Sequence, residues 1–185
     1  MFPDQGLWTE QQYLALNTNR LVEFDNGMIE VLPLPTKTHQ LIVLYLYEVL
    51  KAWITGKSAG GIVLVAPYRL RLASGRYREP DVVYLTAEQN ARSGEQFAEA
   101  AELVMEVISA DDPDRDYVTK RRDYAQAGIP EYWIVDPGLR RISVMHLDGK
   151  EYMEHGSFCV GQTATSRRMP GFTVAVDDVF FMNRA

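Results

Sequence analysis

The segment Leu103-Val104-Met105-Glu106-Val107-Ile108 is apolar at odd and even positions alike, except for one carboxylate near its middle. Apolar residues at both parities predict a central strand covered on both faces. Glu106 is then the strongest constraint on the chain. An unpaired charge at such a position costs on the order of several kcal/mol, so Glu106 needs a cationic partner, a shifted pKa or a metal ion.

The rest of the chain supplies the layers that such a strand requires. Thr9-Glu10-Gln11-Gln12 has the form of a capping box and predicts a short helix to about Asn17. Leu21 to Phe24 and Met28 to Val31 flank Asp25-Asn26-Gly27, which predicts a tight β-hairpin. Thr36 can cap a helix running to about Lys57, with Leu41, Leu44, Tyr45, Val49 and Ala52 at helical spacing. Strands are expected at 62–66, 68–72 and 81–85. A helix over Arg115 to Gln126, stopped by Gly128 and Pro130, leads into a buried strand at Tyr132 to Val135. Arg141 to Leu147 and Glu151 to His155 form a further hairpin around Asp148-Gly149, and residues 172–176 form an edge strand.

This order points to an α/β (α+β) fold, a mixed sheet flanked by helices with an N-terminal helix and β-hairpin. The strand after the Arg115 helix is expected to run parallel to the Glu106 strand through a right-handed crossover. With 185 residues, 46% of them apolar and 24% charged, the chain suits one folded unit over 1–185.

Several function classes are excluded. The one cysteine, Cys159, can form neither an internal disulfide nor a Cys-rich zinc site. The N-terminus lacks a basic segment followed by an apolar run, and the longest apolar stretch, Leu41 to Leu50, contains Glu48 and is too short to span a bilayer. No membrane association and a cytoplasmic location are expected. A net charge of −6 argues against broad adhesion to nucleic acid. The basic residues are nonetheless clustered: Arg69, Arg71, Arg76 and Arg78 lie close together, and Lys120, Arg121 and Arg122 are consecutive. Either cluster reads as a phosphate contact or as a solvated charged face.

Asp81, entering its strand through Pro80, is a second carboxylate that a neighbouring strand could bring to Glu106. Two oxygen ligands with open positions suit Mg²⁺, which binds a few carboxylates and keeps several waters. Strand alternation places Ile108, not a lysine, on the face of Glu106. On the next helix Asp116, Lys120 and Tyr124 project from one side at i, i+4 and i+8, so Lys120 could reach back to the sheet.

Glu-Pro-Asp-Val-Val at 79–83, Leu-Val-Met-Glu-Val-Ile-Ser at 103–109, the Asp116/Lys120/Tyr124 spacing and Ala-Gly-Ile-Pro-Glu-Tyr-Trp-Ile-Val-Asp-Pro at 127–137 together make the chain resemble the Uma-two family of endonucleases. That family belongs to the PD-(D/E)XK superfamily with the restriction-endonuclease-like fold, and the resemblance covers roughly residues 8–176. It implies a metal-dependent endonuclease acting on DNA with Mg²⁺ or Mn²⁺, with Asp81 and Glu106 as metal ligands and Lys120 as catalytic lysine. Ile108 departs from the superfamily's Glu-x-Lys. Glu23 and His39 also match recurring positions, Glu23 as a further carboxylate at the metal and His39 near the metal ligands or the phosphate. A homodimer is implied by analogy with enzymes that cut both strands.

Each of these residues also has a plainer reading. Glu106 and Lys120 could be a buried ion pair tying helix to sheet. Asp81 could be a strand-entry cap. Asp116 fits a helix-start or charge-pairing role better than a metal ligand, and Tyr124 a core position. Trp133 should find a partner for its indole N–H, His146 and His155 look structural, and Ser109 has no nearby catalytic histidine. Two rival functions follow. One is a catalytically silent nucleic-acid- or protein-binding module that retains the nuclease fold. The other is a hydrolase of small phosphorylated molecules, for which the chain carries no Gly-rich phosphate loop.

Overall fold

The first regular element begins where its capping signal predicts. In the computed structural model, which describes residues 2–18, 20–109 and 111–181, Thr9 and Gln12 close a reciprocal capping box at the start of α1 (Glu10–Leu14). This helix stops short of Asn17, because buried Tyr13 already donates its hydroxyl to Val22 O at 2.8 Å and the chain turns back toward the hairpin. Strands β1 (Val22–Asp25) and β2 (Met28–Val31) pair antiparallel around Asn26 and Gly27, both at positive φ. A Cβ on Gly27 would lie 2.6 Å from Gly6 O, so the turn admits no side chain there.

Thr36 caps α2 (Lys37–Lys57), accepting from His39 N–H at 3.2 Å. The helix forms where expected but buries a different face, Ile42, Val43, Leu46, Leu50 and Ile54, while Leu44 and Ala52 of the expected face are exposed and Leu41, Tyr45 and Val49 are only half-buried. Then follow β3 (Ile62–Val65), β4 (Arg69–Ala73), β5 (Arg76–Arg78), β6 (Val82–Leu85), α3 (Ala87–Arg92), β7 (Phe97–Ala98) and β8 (Leu103–Val107). Three of these were not anticipated. β5 and β7 are only three and two residues long, too short for an alternation signal, whereas α3 opens on a second capping box, Thr86 with Gln89, that the same rule detects.

The helix expected over Arg115 to Gln126 is not uniformly α. It starts as a π-helical turn, Arg115–Lys120, and continues as α4 (Arg121–Gln126). β9 (Glu131–Asp136) follows, and the second hairpin is longer than expected, β10 (Arg141–Asp148) and β11 (Glu151–Cys159), with a register shift between Val144 and Met145. The segment 172–176 was expected at a sheet edge. Instead β13 (Thr173–Ala175) pairs with β12 (Thr163–Thr165) as a separate two-stranded sheet, followed by α5 (Val176–Phe180). Burial of Phe172 and Val174 against the α2 side of the core draws it over the sheet face. Buried Glu131 fixes the intervening loop, accepting from Ser166 Oγ, Arg167 N–H and Arg168 N–H, and gives Trp133 its indole partner at 2.8 Å. Met1 and 182–185, the ends of the span expected to form one unit, lie outside the described residues.

The main sheet has the order β11-β10-β9-β8-β6-β3, with β8 and β9 parallel as expected and the other pairs antiparallel. A second sheet has the order β2-β1-β5-β4-β7. Every residue of β8 is buried. Its odd positions, Leu103, Met105 and Val107, pack with α2, while Val104 and Ile108 pack with Tyr124 and Ala125 of α4. Glu106 has the parity of the second set. The fold therefore turns its carboxylate toward the helix that carries Lys120.

Candidate active site

Lys120 Nζ lies 2.9 Å from Glu106 Oε2, and Tyr124 donates its hydroxyl to Glu106 Oε1 at 2.5 Å. Ile108, just past the end of β8, packs against α4, and the cation arrives from the helical segment above that face. Asp81, just before β6, donates its backbone N–H toward Glu106 Oε2 at 3.4 Å, while its own Oδ2 accepts from Val107 N–H at 2.8 Å and meets His39 Nε2 at 3.2 Å. Lys120 also stands 3.1 Å from Asp116 Oδ1 and 3.9 Å from Glu23 Oε1. The structure thus brings Asp81, Glu106, Asp116, Lys120, Tyr124 and His39 together, with Glu23 behind the lysine.

The π-helical turn contributes to this arrangement. Within it Asp116 and Lys120, four residues apart, both turn inward while Val118 between them remains exposed. Tyr132 of β9 donates its hydroxyl to Asp116 O at 3.0 Å and ties the turn to the sheet.

Burial governs the protonation behaviour. Burial pushes the Glu106 carboxyl well above the ordinary range, and Asp81 and Asp116 push it further, against the pull of Lys120. Burial alone would lower the Lys120 ammonium, but Glu106, Glu23 and Asp116 outweigh that effect and hold it charged. Asp116 is raised by burial, partly offset by Lys120. For Glu23, burial is overcome by Lys120, Arg78 and Arg115, which hold the carboxyl low. His39 is desolvated, yet its bond to Asp81 raises its pKa.

Asp81, Glu106, Asp116, Lys120 and His39 form the floor of a cleft of about 740 Å³. Its lining includes eight carboxylates, those of Glu30, Glu79, Asp81, Glu106, Asp111, Asp112, Asp116 and Asp136, against two permanent cations, Arg115 and Lys120. Sequence reasoning missed Arg115 as a cleft residue. It bonds Glu23 and Glu30, carboxylates 92 and 85 residues away, so no local pattern announces the contact. Glu79 was missed as well. Burial raises its carboxyl to about 7, against the Val22 N–H and Arg69 that favour the charged form.

The four arginines expected to meet phosphate are placed elsewhere. Arg78, only 4% exposed, joins Glu23, Asp25 and Asp123, and Arg76 joins Asp25 and Asp123. Arg71 pairs with Glu10 and Glu99. Arg69 lies 3.6 Å from Glu79 and over the ring of Tyr13. None of the four lines the cleft.

Among the described residues, no three His, Cys, Asp or Glu side chains converge as a ready-made metal cage. The donor set nonetheless fits Mg²⁺ or Mn²⁺. Two neighbouring carboxylates with room for water and phosphate suffice for such an ion. The cleft carries a large excess of carboxylates, eight against two permanent cations.

Comparison with known proteins adds three findings. The family model Uma2, described as "Putative restriction endonuclease", matches residues 10–177. No curated protein matches the chain. Among solved structures, one described as "a putative nuclease belonging to DUF820 from Anabaena variabilis ATCC 29413" aligns with a TM-score of 0.75 at 15% identity, covering 94% of this chain and 98% of that one. The type IIG restriction endonuclease BpuSI aligns with a TM-score of 0.44 at 16% identity over 81% of this chain, which spans only 18% of that protein.

Proposed function

The chain belongs to the Uma2 restriction-endonuclease family and has a restriction-endonuclease-like fold, and from that premise we propose that it is a metal-dependent endonuclease hydrolysing phosphodiester bonds in DNA at the floor formed by Asp81, Glu106 and Lys120. One observation carries the reading. A buried lysine is bonded to a buried strand carboxylate beside a second carboxylate, at the bottom of an open cleft.

Asp81 and Glu106 would hold Mg²⁺ or Mn²⁺. When bound, such an ion lowers the pKa of a coordinated water and offsets charge developing on the phosphate. Lys120, which its carboxylate neighbours hold charged, would act by charge, orienting the attacking water or stabilising the phosphate oxygens. Asp116 and Glu23 hold that ammonium in place, with Glu23 read here as its counter-charge instead of a metal ligand. His39 holds Asp81 in orientation through their 3.2 Å contact.

We read residues 1–185 as one domain acting in the cytoplasm, where Cys159 stays reduced, and as a homodimer when it cuts both strands of a duplex. No helix among the described residues is long and apolar enough to cross a membrane. One observation favours a second reading, a silent module that keeps the fold: Lys120 and Glu106 already satisfy one another. The deciding experiment is cleavage of supercoiled plasmid with Mg²⁺ or Mn²⁺ by the wild type, Glu106→Ala and Lys120→Ala. Cleavage that both substitutions abolish supports the nuclease. Absence of cleavage by the wild type supports the silent module.

A further inference from the structure

The lip of the cleft has a chemistry opposite to that of its floor. Residues Val31 to Pro35, between β2 and α2, line the cleft as an unbroken apolar stretch. Leu32 and Pro35 are half-buried anchors, with Leu32 N–H bonded to Leu21 O at 2.9 Å, whereas Val31, Pro33 and Leu34 face solvent, Leu34 with 69% of its surface exposed. Pro33 and Pro35 bracket Leu34. Each fixes its own φ, and each biases its preceding residue toward extended backbone, so the leucine is displayed on a stiffened loop. The lip thus presents three exposed apolar side chains, Val31, Pro33 and Leu34, beside a polar site.

Charge indicates what suits it. Carboxylates outnumber permanent cations in the lining, Arg71, Arg76 and Arg78 are engaged by acids away from it, and Arg69 is engaged by Glu79 of the lining itself. Phosphate attraction is therefore a weak source of selectivity here, and the remaining recognition element is uncharged and apolar. The uncharged part of a nucleic acid is the face of a base, which an intact duplex conceals within its stack. Single strands, gaps and mismatches expose it without the cost of unstacking.

Resting on the nuclease reading above, we propose that the cleft takes DNA at a point where a base is already unstacked, and that Leu34 seats that base so that the adjoining phosphate reaches Asp81 and Glu106. The preferred substrate class is single-stranded or locally unpaired DNA.

The test compares cleavage of three oligonucleotides of one sequence, a single strand, a gapped duplex and an intact duplex, by the full chain with Mn²⁺. A 2-aminopurine at the cleavage site reports unstacking. Wild type is expected to cut the first two at least about tenfold faster than the third. Leu34→Ser, at an exposed position whose loss leaves the melting temperature unchanged, is expected to bring that ratio toward one through a raised KM and to remove the 2-aminopurine signal. Preference for the intact duplex, or an unchanged ratio in Leu34→Ser, overturns the proposal while leaving the nuclease intact. An unchanged ratio with wild-type dimers that dissociate in Leu34→Ser assigns the lip to a protein contact and likewise overturns it. Failure of the wild type to cut any of the three overturns the nuclease reading and this inference together.

Discussion

Asp81 and Glu106 brace one another through the backbone: the Asp81 amide points to Glu106 Oε2 at 3.4 Å, and Asp81 Oδ2 accepts the Val107 amide at 2.8 Å. The two strands that carry the acids are therefore cross-tied at the site itself, and substitutions at Asp81 separate structure from chemistry. Asp81→Asn keeps an acceptor for Val107 N–H and is expected to preserve stability while abolishing metal-dependent cleavage. Asp81→Ala leaves that amide unpaired and should cost about 1–3 kcal/mol in urea unfolding. Equal destabilisation by both would show that the acceptor contributes nothing.

Lys120→Ala removes the cation bonded to Glu106 and set against Asp116 in a buried setting. Breaking such a pair on one side costs about 3–5 kcal/mol. The double variant Lys120→Met/Glu106→Gln should recover much of this loss, and Mg²⁺ should raise the melting temperature of Lys120→Ala more than that of the wild type. Thermal unfolding with and without Mg²⁺ reads both effects, and a metal-independent melting temperature in every variant would count against the ion at this floor.

The Arg78 guanidinium sits among Glu23, Asp25 and Asp123. Arg78→Ala is thus expected to destabilise the fold by about 3–5 kcal/mol, and Arg78→Lys, without the fork that reaches three carboxylates, by a substantial part of that. Chemical denaturation measures this. Near-native stability of Arg78→Ala would refute the buried cluster as a structural element.

Glu79 sets a pH window. Its carboxyl is raised to about 7 in the fold, from an ordinary 4.5, mainly by burial. A raised folded pKa means that the contribution is full below the unfolded value and is lost as pH rises through the folded value. Relative to Glu79→Gln, the wild type should therefore lose stability between about pH 4.5 and 7, by on the order of 2 kcal/mol. Parallel stability profiles for the two proteins from pH 4 to 8 would place Glu79 in solvent instead.

Much of the site was legible from the sequence because its signals are local. Glu106 stands out as the lone charge in a two-sided apolar strand, and helical spacing brings Lys120 and Tyr124 to one side. The bonds from both to Glu106 fit that spacing. Strands β6, β8 and β9 and the parallel crossover followed from the same patterns. What stayed hidden depends on distant partners. An arginine's sequence neighbours do not reveal that Asp123 waits 45 residues away from Arg78, or Glu23 92 residues away from Arg115. The π-helical turn was invisible for a related reason. Its i, i+4 pair of buried charges reads like an α-helix, and only the sheet contact at Tyr132 shows how the turn is held.

Because the carboxylate stands on a strand and the ammonium on a helical turn, their separation is set by how closely two layers of the protein seat against each other. A site built along one strand would move as a piece. Here, swelling the π-helical turn away from β8 by about an ångström would open the 2.9 Å contact while leaving both elements intact, so the pair acts as a gauge of how tightly the core is closed.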